Sequence, residues 1–435
     1  MRLRSKRPLA ATLLLAAGAA LALQARADTL QEAWRLAAAR NQTLAAAAAD
    51  VQAARASERA ARDARWPSIE AEASYTHLGQ APELDVVTPT LAFRSGPIFK
   101  NNQYVSGTVQ MRVPLYTGGA IRAGVAAARA GVAGASTAQS ATDADVKLEV
   151  AQAYVAVLRS QRQLRVADAS VKSLAAHLRD VEAMFHRQMV AKSDLLAAEV
   201  ALANARSAQV SAQDAVSISQ EQYNRLLGEP LGRVPQLDPV LPTFPIDNLP
   251  LAELVQRALA TRGELHALAA RAGALAARAR AASASRLPHI AAMGGYTHFD
   301  NQILNRENFS SVGVGFTWKL FDGGAAANEA DALRSRSRAD RRRLADLRSR
   351  ITLEVRADWL ALGAARERVS ASRAATAQAA ENLRISRELY GAGLASNTQV
   401  LAAVTLRTQA EENYNNAVLD EGLERLQLAY AVGAL

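Results

Sequence analysis

The 435-residue sequence holds 98 alanines, 21 aromatic residues and no cysteine, and its formal charge is +10. Alanine supplies nearly half of the 50% hydrophobic fraction; a globular core of this length uses more large side chains, whereas alanine favours helices and close helix packing. The missing cysteine excludes disulfides, thiolate metal sites, a cysteine nucleophile and an acylated N-terminal cysteine.

Residues 1–27 read as a secretory signal. Arg2, Arg4, Lys6 and Arg7 form a basic start, Leu9 to Leu23 an apolar stretch, and Ala25-Arg26-Ala27 a small-x-small cleavage site. Five of the 51 basic residues fall here, which leaves 46 against 41 acidic ones in the mature chain. A charge of +5 gives no nucleic-acid footprint. The chain is therefore expected to be exported, with Asp28 as its mature N-terminus.

The mature chain is one unit written twice. Leu30, Leu44, Pro67, Ile69 and Tyr75-Thr76-His77 recur as Leu251, Leu265, Pro288, Ile290 and Tyr296-Thr297-His298, at a constant offset of 221. From Leu115-Tyr116-Thr117-Gly118-Gly119 and Leu320-Phe321-Asp322-Gly323-Gly324 onward the offset is 205. A single length change of 16 residues, between the Tyr-Thr-His and Gly-Gly segments, accounts for the difference and marks a surface loop. The first repeat is expected over 28–228, with strands at about 68–77 and 104–116 and long helices at about 119–187 and 192–227. A proline-rich linker occupies 229–248. The second repeat is expected over 249–435, with strands at about 289–299 and 309–321 and long helices at about 324–390 and 397–432. Shorter helices open each repeat, stopped by Trp66-Pro67 and Leu287-Pro288. The longest helices would span roughly 100 Å at 1.5 Å per residue.

Period-two alternation appears only beside those prolines. Ile69, Ala71, Ala73 and Tyr75 alternate with Glu70, Glu72, Ser74 and Thr76, and Val312, Val314, Phe316, Trp318 and Leu320 alternate with Ser311, Gly313, Gly315, Thr317 and Lys319. Twelve of the 21 aromatics fall within 66–116 and 296–321. Strands of about ten residues with apolar faces and aromatic ends suit a tilted crossing of an outer membrane. Four strands cannot close a barrel, and open edges have no hydrogen-bond partners in lipid. Three copies would supply twelve strands.

The doubled unit, Val-Pro-Leu-Tyr-Thr-Gly-Gly at 113–119, its partner Trp-Lys-Leu-Phe-Asp-Gly-Gly at 318–324, and Tyr390-x-x-Gly393-x-x-Ser396-x-x-Gln399-Val400-Leu401 resemble the TolC family of outer-membrane efflux proteins. The resemblance implies a mainly α protein with membrane β: a Gram-negative homotrimer whose 12-stranded β-barrel in the outer membrane continues as a helical barrel in the periplasm. It also implies partners, a periplasmic adaptor and an inner-membrane transporter. It implies no enzyme activity, catalytic residue, cofactor or metal site. By position, Phe185, Asp194, Tyr390 and Gln399 fall at the family's periplasmic gate. Gln188, Met189, Val190 and Ala191, with Gly393, Leu394, Ala395 and Ser396, fall at its adaptor-contacting turns. The family's basic gate partner would lie at Ala395 and its acidic ring at Gln399 and Ala402, so the sequence departs from the pattern there. Arg387 or Lys192, each close to a turn, is the candidate partner of Asp194 in their place. The first turn lacks glycine, so its docking surface is expected to differ from the second. Two other readings fit the same features: the exit duct of a type I protein secretion system and a soluble periplasmic helical scaffold.

Eight arginines between Arg334 and Arg350, diluted by Asp331, Asp340 and Asp346, read as a solvated helix face. His77 and His298 lack the clustered carboxylates or cysteines of a metal site. Gly118-Gly119 and Gly323-Gly324 lack a phosphate-loop context and read as strand-to-helix turns.

Overall fold

The computed structural model describes residues 28–246 and 249–435, so the expected signal segment lies outside the described residues. The first half of the chain runs α1 (Leu30–Arg40), α2 (Gln42–Asp63), β1 (Ser68–His77), β2 (Glu83–Thr88), β3 (Leu91–Pro97), β4 (Gln103–Tyr116), α3 (Ala120–His186) and α4 (Lys192–Leu227). The second half runs α5 (Leu251–Thr261), α6 (Gly263–Ala284), β5 (His289–Phe299), β6 (Asn308–Thr317), α7 (Ala325–Gly391) and α8 (Asn397–Ala431). Both α3 and α7 are 67 residues long, and α1 and α5 are both 11. The first half alone carries the β2–β3 hairpin, which forms a sheet of its own. It occupies the loop where the two halves differ in length.

Residues 48–138 and 263–347 make one compact unit, and 28–47, 139–262 and 348–435 make the other. The first of these contains a four-stranded antiparallel sheet in the order β1-β4-β5-β6. Its register places Ile69, Ala71 and Tyr75 on one face with Val105, Val109 and Met111, then Ile290, Ala292 and Tyr296, then Val312, Val314 and Phe316. Glu70, Glu72, Ser74, Ser106, Thr108, Gln110, Thr297 and Ser311 fall on the other. The apolar face is uncovered within the chain, and Val312 is 94% exposed. Leaving large apolar side chains in water forgoes about 1.5–3 kcal/mol each. The edge strands β1 and β6 run in opposite directions, each with one unpaired side.

Residues 318–321, which the alternation assigns to a strand, lie beyond β6. There Trp318 donates its Nε1–H to the carbonyl of Arg286 at 3.0 Å. Asp322 accepts from the amides of Gly324 and Ala326 at 2.9 and 3.0 Å, which starts α7 and ends the extended chain. Gly323 and Gly324 have φ of 67° and 87°, as Gly118 and Gly119 have 60° and 87°. All eight arginines near the start of α7 are exposed, as a solvated face requires, and buried Asp340, 1% exposed, takes Arg343 and, from α6, Arg271 at 2.7 and 3.1 Å.

The second unit is helical, and its core joins α1, α3, α4 and α8 through Leu30, Val150, Tyr154, Tyr223, Leu227 and Leu426. Thr29 and Glu32 close a capping box at the start of α1. Trp34 donates to the carbonyl of Lys147 at 2.8 Å. The hydroxyl of Tyr154 donates into the carbonyls of Asp28 and Asp238, 2.8 and 2.6 Å away, and burial raises its pKa. Arg233 pairs with the Asp28 carboxylate at 2.5 Å, and Arg40 pairs with Glu229. Buried Asn224 donates to the carbonyls of Leu231 and Arg233. The proline-rich segment is thus strapped to the helices along 229–238.

The paired glycines differ in one respect that stability measurements can read. A Cβ on Gly118 would lie 2.6 Å from Leu287 Cβ and 2.9 Å from the Ala284 carbonyl, whereas at Gly323 nothing lies within 4 Å. Gly323→Ala is expected to cost about 1–2 kcal/mol, the left-handed backbone term alone. Gly118→Ala adds a steric clash and is expected to lower the thermal unfolding midpoint further. Equal losses would contradict the difference in packing.

Candidate functional site

The turns that join α3 to α4 and α7 to α8 carry the residues singled out by position. Their backbones share one pattern. Gln188 N–H donates to Phe185 and Met189 N–H to Met184; Gly393 N–H donates to Tyr390 and Leu394 N–H to Leu389. This is the paired closure of a Schellman motif, which requires a left-handed residue after the helix. Gly393 supplies it at φ 74°, and Gln188 supplies it at φ 60° without glycine's freedom. The two turns therefore differ in side chains and not in backbone course. Each ends in an exposed apolar residue at equivalent positions: Met189 is 63% exposed and Leu394 76%.

Helix α8 starts at a capping box. Ser396 Oγ accepts from the Gln399 amide, and Gln399 Oε1 accepts from the Ser396 amide at 2.9 Å. Gln399, the residue at the acidic-ring position, thus has its side chain occupied by the cap. Ala395 packs against the cluster that contains Leu174, Val181, Ala198, Leu383, Tyr390 and Val400. Tyr390 is 7% exposed inside that cluster, and its buried hydroxyl has no hydrogen-bond partner among the described residues. Its pKa is raised by burial first and then by Asp194 and Asp180. Phe185, the equivalent residue of the first half, is only half-buried.

Asp194 lies in the first turn of α4, where a carboxylate complements the helix dipole. Its backbone carbonyl accepts from Asn397 Nδ2 at 3.0 Å. Arg387 donates to Ser173 rather than to Asp194. Lys192 begins α4 and is exposed, as are Gln188, Ala191 and Ser396. The arrangement also contains two residues that sequence reasoning missed. His177 is 3% exposed and Asn397 2%, and Nε2 of the one lies 2.7 Å from Oδ1 of the other. The signal for His177 is a polar residue at helical spacing between buried Leu174 and Val181.

These turns, the long helices and the half-apolar sheet match known proteins. The family model described as "Outer membrane efflux protein" matches residues 33–229 and 254–434. The chain belongs to the outer membrane efflux protein family. Outer membrane protein TolC of Vibrio cholerae is 25% identical over 310 residues, 69% of this chain and 70% of that one. Crystal structures share the fold: VceC from Vibrio cholerae at 18% identity has a TM-score of 0.77 over 93% of this chain and 96% of its own. CusC at 18% identity has 0.79 over 94% and 93%. The open MtrE channel of Neisseria gonorrhoeae at 18% identity has 0.73 over 93% and 88%.

Membership makes the protein an efflux protein of the outer membrane, with the fold of channel proteins rather than of enzymes. Among the described residues no helix is long and apolar enough to cross a membrane. Apolar crossing surface is found on the sheet instead, with Tyr75 and Tyr296 toward one end of its strands. Interfacial aromatics of this kind flank the lipid band of outer-membrane strands.

The contrast between the turns predicts a substitution that improves the fold. Gln188→Gly removes a left-handed cost of about 1–2 kcal/mol from the first turn. The thermal midpoint should rise, and Gly393→Gln should lower it by a comparable amount. No change in either variant would contradict the positive φ at both sites.

Proposed function

We propose that three copies close into one outer-membrane duct that serves as the exit of a tripartite efflux system. In this reading, cargo arrives from an inner-membrane pump through a periplasmic adaptor seated on the helix turns. The pump supplies the energy and the duct supplies the path. Phe185, Asp194 and Tyr390 would form the closing end, with Gln399 holding the start of α8 beside it. Met189 and Leu394 would give an adaptor hairpin two apolar anchors among Gln188, Val190, Ala191, Gly393, Ala395 and Ser396.

The observation that carries the assembly is a second, unmet seam on each of two helices. In the helical unit, α3 and α8 are covered on most sides, whereas α4 and α7 are covered on one. Helix α7 buries Ile351, Val355, Leu362, Ala365, Leu383 and Tyr390. It exposes Leu353, Ala357, Leu360, Ala364, Ala371, Ala374 and Ile385 at the same three-and-four spacing. Helix α4 buries Ala198, Leu202, Ser219, Tyr223 and Leu226, and exposes Leu196, Val200, Ala203, Val210 and Ile218. At 3.6 residues per turn each pair of stripes lies roughly 160° apart. A helix with two opposed apolar seams needs a neighbour on each side. His177–Asn397 joins α3 to α8 and Arg387–Ser173 joins α7 to α3, which leaves α4 and α7 as the free flanks.

Helix α4 of one copy would therefore pack against α7 of the next. The sheet makes the parallel demand, since β1 and β6 are its free edges and run antiparallel. Two copies would supply eight strands and three would supply twelve, and both numbers lie in the range of outer-membrane barrels. The family resemblance supports three.

The chain has no cysteine, so introduced pairs report without background. Val200 lies near the start of α4 and Ile385 near the end of α7, both exposed and at similar distance from the turns. Val200→Cys combined with Ile385→Cys is expected to give disulfide-linked species up to a trimer in outer-membrane fractions. Each single variant should lack that ladder. A double variant that stays monomeric under oxidation would overturn the α4–α7 seam.

A further inference from the structure

His177 stands where three helices meet at their turn ends, on α3, enclosed by α7 and α8 and tied through Asn397 to α4. The hydrogen-bond directions in this small network are fixed. The Asp194 carbonyl can only accept, so Asn397 must present its amide nitrogen there, at 3.0 Å. Its oxygen then faces the imidazole, and Nε2 of His177 must carry the proton that spans the 2.7 Å contact. Nδ1 is then the only place for a second proton, which would leave the bond to Asn397 in place but put a full charge on a buried ring. Reversing the amide would set oxygen against oxygen at Asp194.

We propose that the His177–Asn397–Asp194 chain is an acid-released latch between the α3–α4 and α7–α8 hairpins. It is assembled from side chains that are 3% and 2% exposed, so a charge on the ring would be largely withheld from water. The groups facing the ring from each packed element are few. Asp180 lies on α3 and favours the charged form; Arg387 lies on α7 and opposes it; Tyr390, also on α7, places its ring 5.4 Å away. Helix α8 contributes Asn397, and helix α4 contributes the Asp194 carbonyl, while the Asp194 carboxylate acts on Tyr390.

Burial, the largest cause, and the Arg387 charge hold the histidine below its ordinary 6.5, against the Asn397 bond and Asp180. Proton linkage sets the sign. Above pH 6.5 the ring is neutral whether the hairpins are docked or apart, and the latch is at full strength. As pH falls from 6.5 toward the depressed value, only the parted state takes the proton. Parting then becomes more favourable by up to about tenfold per pH unit within that window. The same ring that specifies the docked geometry at neutral pH thus loosens it in acid.

Hydrogen-exchange mass spectrometry on the full protein in detergent micelles tests this at pH 7.5 and 5.5, with rates corrected for intrinsic chemistry. Peptides covering 173–187 and 386–404 are expected to lose protection severalfold in acid. Peptides around Trp34 and Tyr154 should not, which makes them the internal control. His177→Gln keeps an N–H donor for Asn397 and cannot titrate, so neutral protection should remain and the acid response should vanish. Arg387→Gln removes the opposing charge, narrows the window and should shrink the response. An unprotected turn in acid in His177→Gln, equal to the parent, would overturn the latch, as would a parent with no acid response. Channel conductance measured alongside separates the two readings. A latch that opens without a conductance change leaves the inference standing and removes the turns from the proposed gate.

Discussion

The governing constraint is that this chain cannot satisfy its own surfaces. Its sheet has one uncovered apolar face and two free edges, and in lipid an unpaired backbone amide or carbonyl has no water to turn to. Its helices α4 and α7 each carry a second apolar seam opposite the one they bury. In the proposed duct, lipid would meet the first demand and neighbouring copies the others. Both free edges and both free seams are pairs of unlike surfaces, β1 with β6 and α4 with α7, which is the requirement for cyclic closure. Alanine in the seams, at Ala203, Ala357, Ala364, Ala371 and Ala374, permits close approach.

Within that shared plan the two halves have diverged where pressure on the backbone is least. The same Schellman turn is made with glycine once and glutamine once. The same glycine pair is sterically required at Gly118 and merely conformational at Gly323. Tyr390 is enclosed while Phe185 is half-buried, so the equivalent aromatics face different surroundings. The strap at Asp28, Tyr154 and Arg233 works in the opposite sense, fixing the junction between the halves.

Much of this was readable from local pattern. The alternation at 69–75 and 312–316 describes one face of one sheet, and the proline stops mark where helix gives way to strand. What escaped depends on contacts between residues far apart. His177 and Asn397 are 220 positions apart, and nothing local to either predicts their bond. The β2–β3 hairpin, interrupted by Pro89 and bounded by Pro82 and Pro97, is too short for a periodic signal. Residues 318–321 continue the alternation in sequence, but the Asp322 cap and the Trp318 bond to Arg286 end the strand first. The prolines of 229–245 suggest a free linker, and only the buried Asn224 and Tyr154 reveal the strap.

Gate chemistry is the least legible part, because family positions name residues without their partners. Gln399 is taken by its cap, Arg387 by Ser173, and Tyr390 by the core. The proposed duct depends on one chain being incomplete and three chains closing the surface. Native mass spectrometry of the protein released from detergent micelles tests it most directly. A single species of three mature chains, without stable monomer or dimer, is the expected result. A monomer as the dominant species would contradict trimeric closure outright, and a dimer would refute the twelve-stranded barrel.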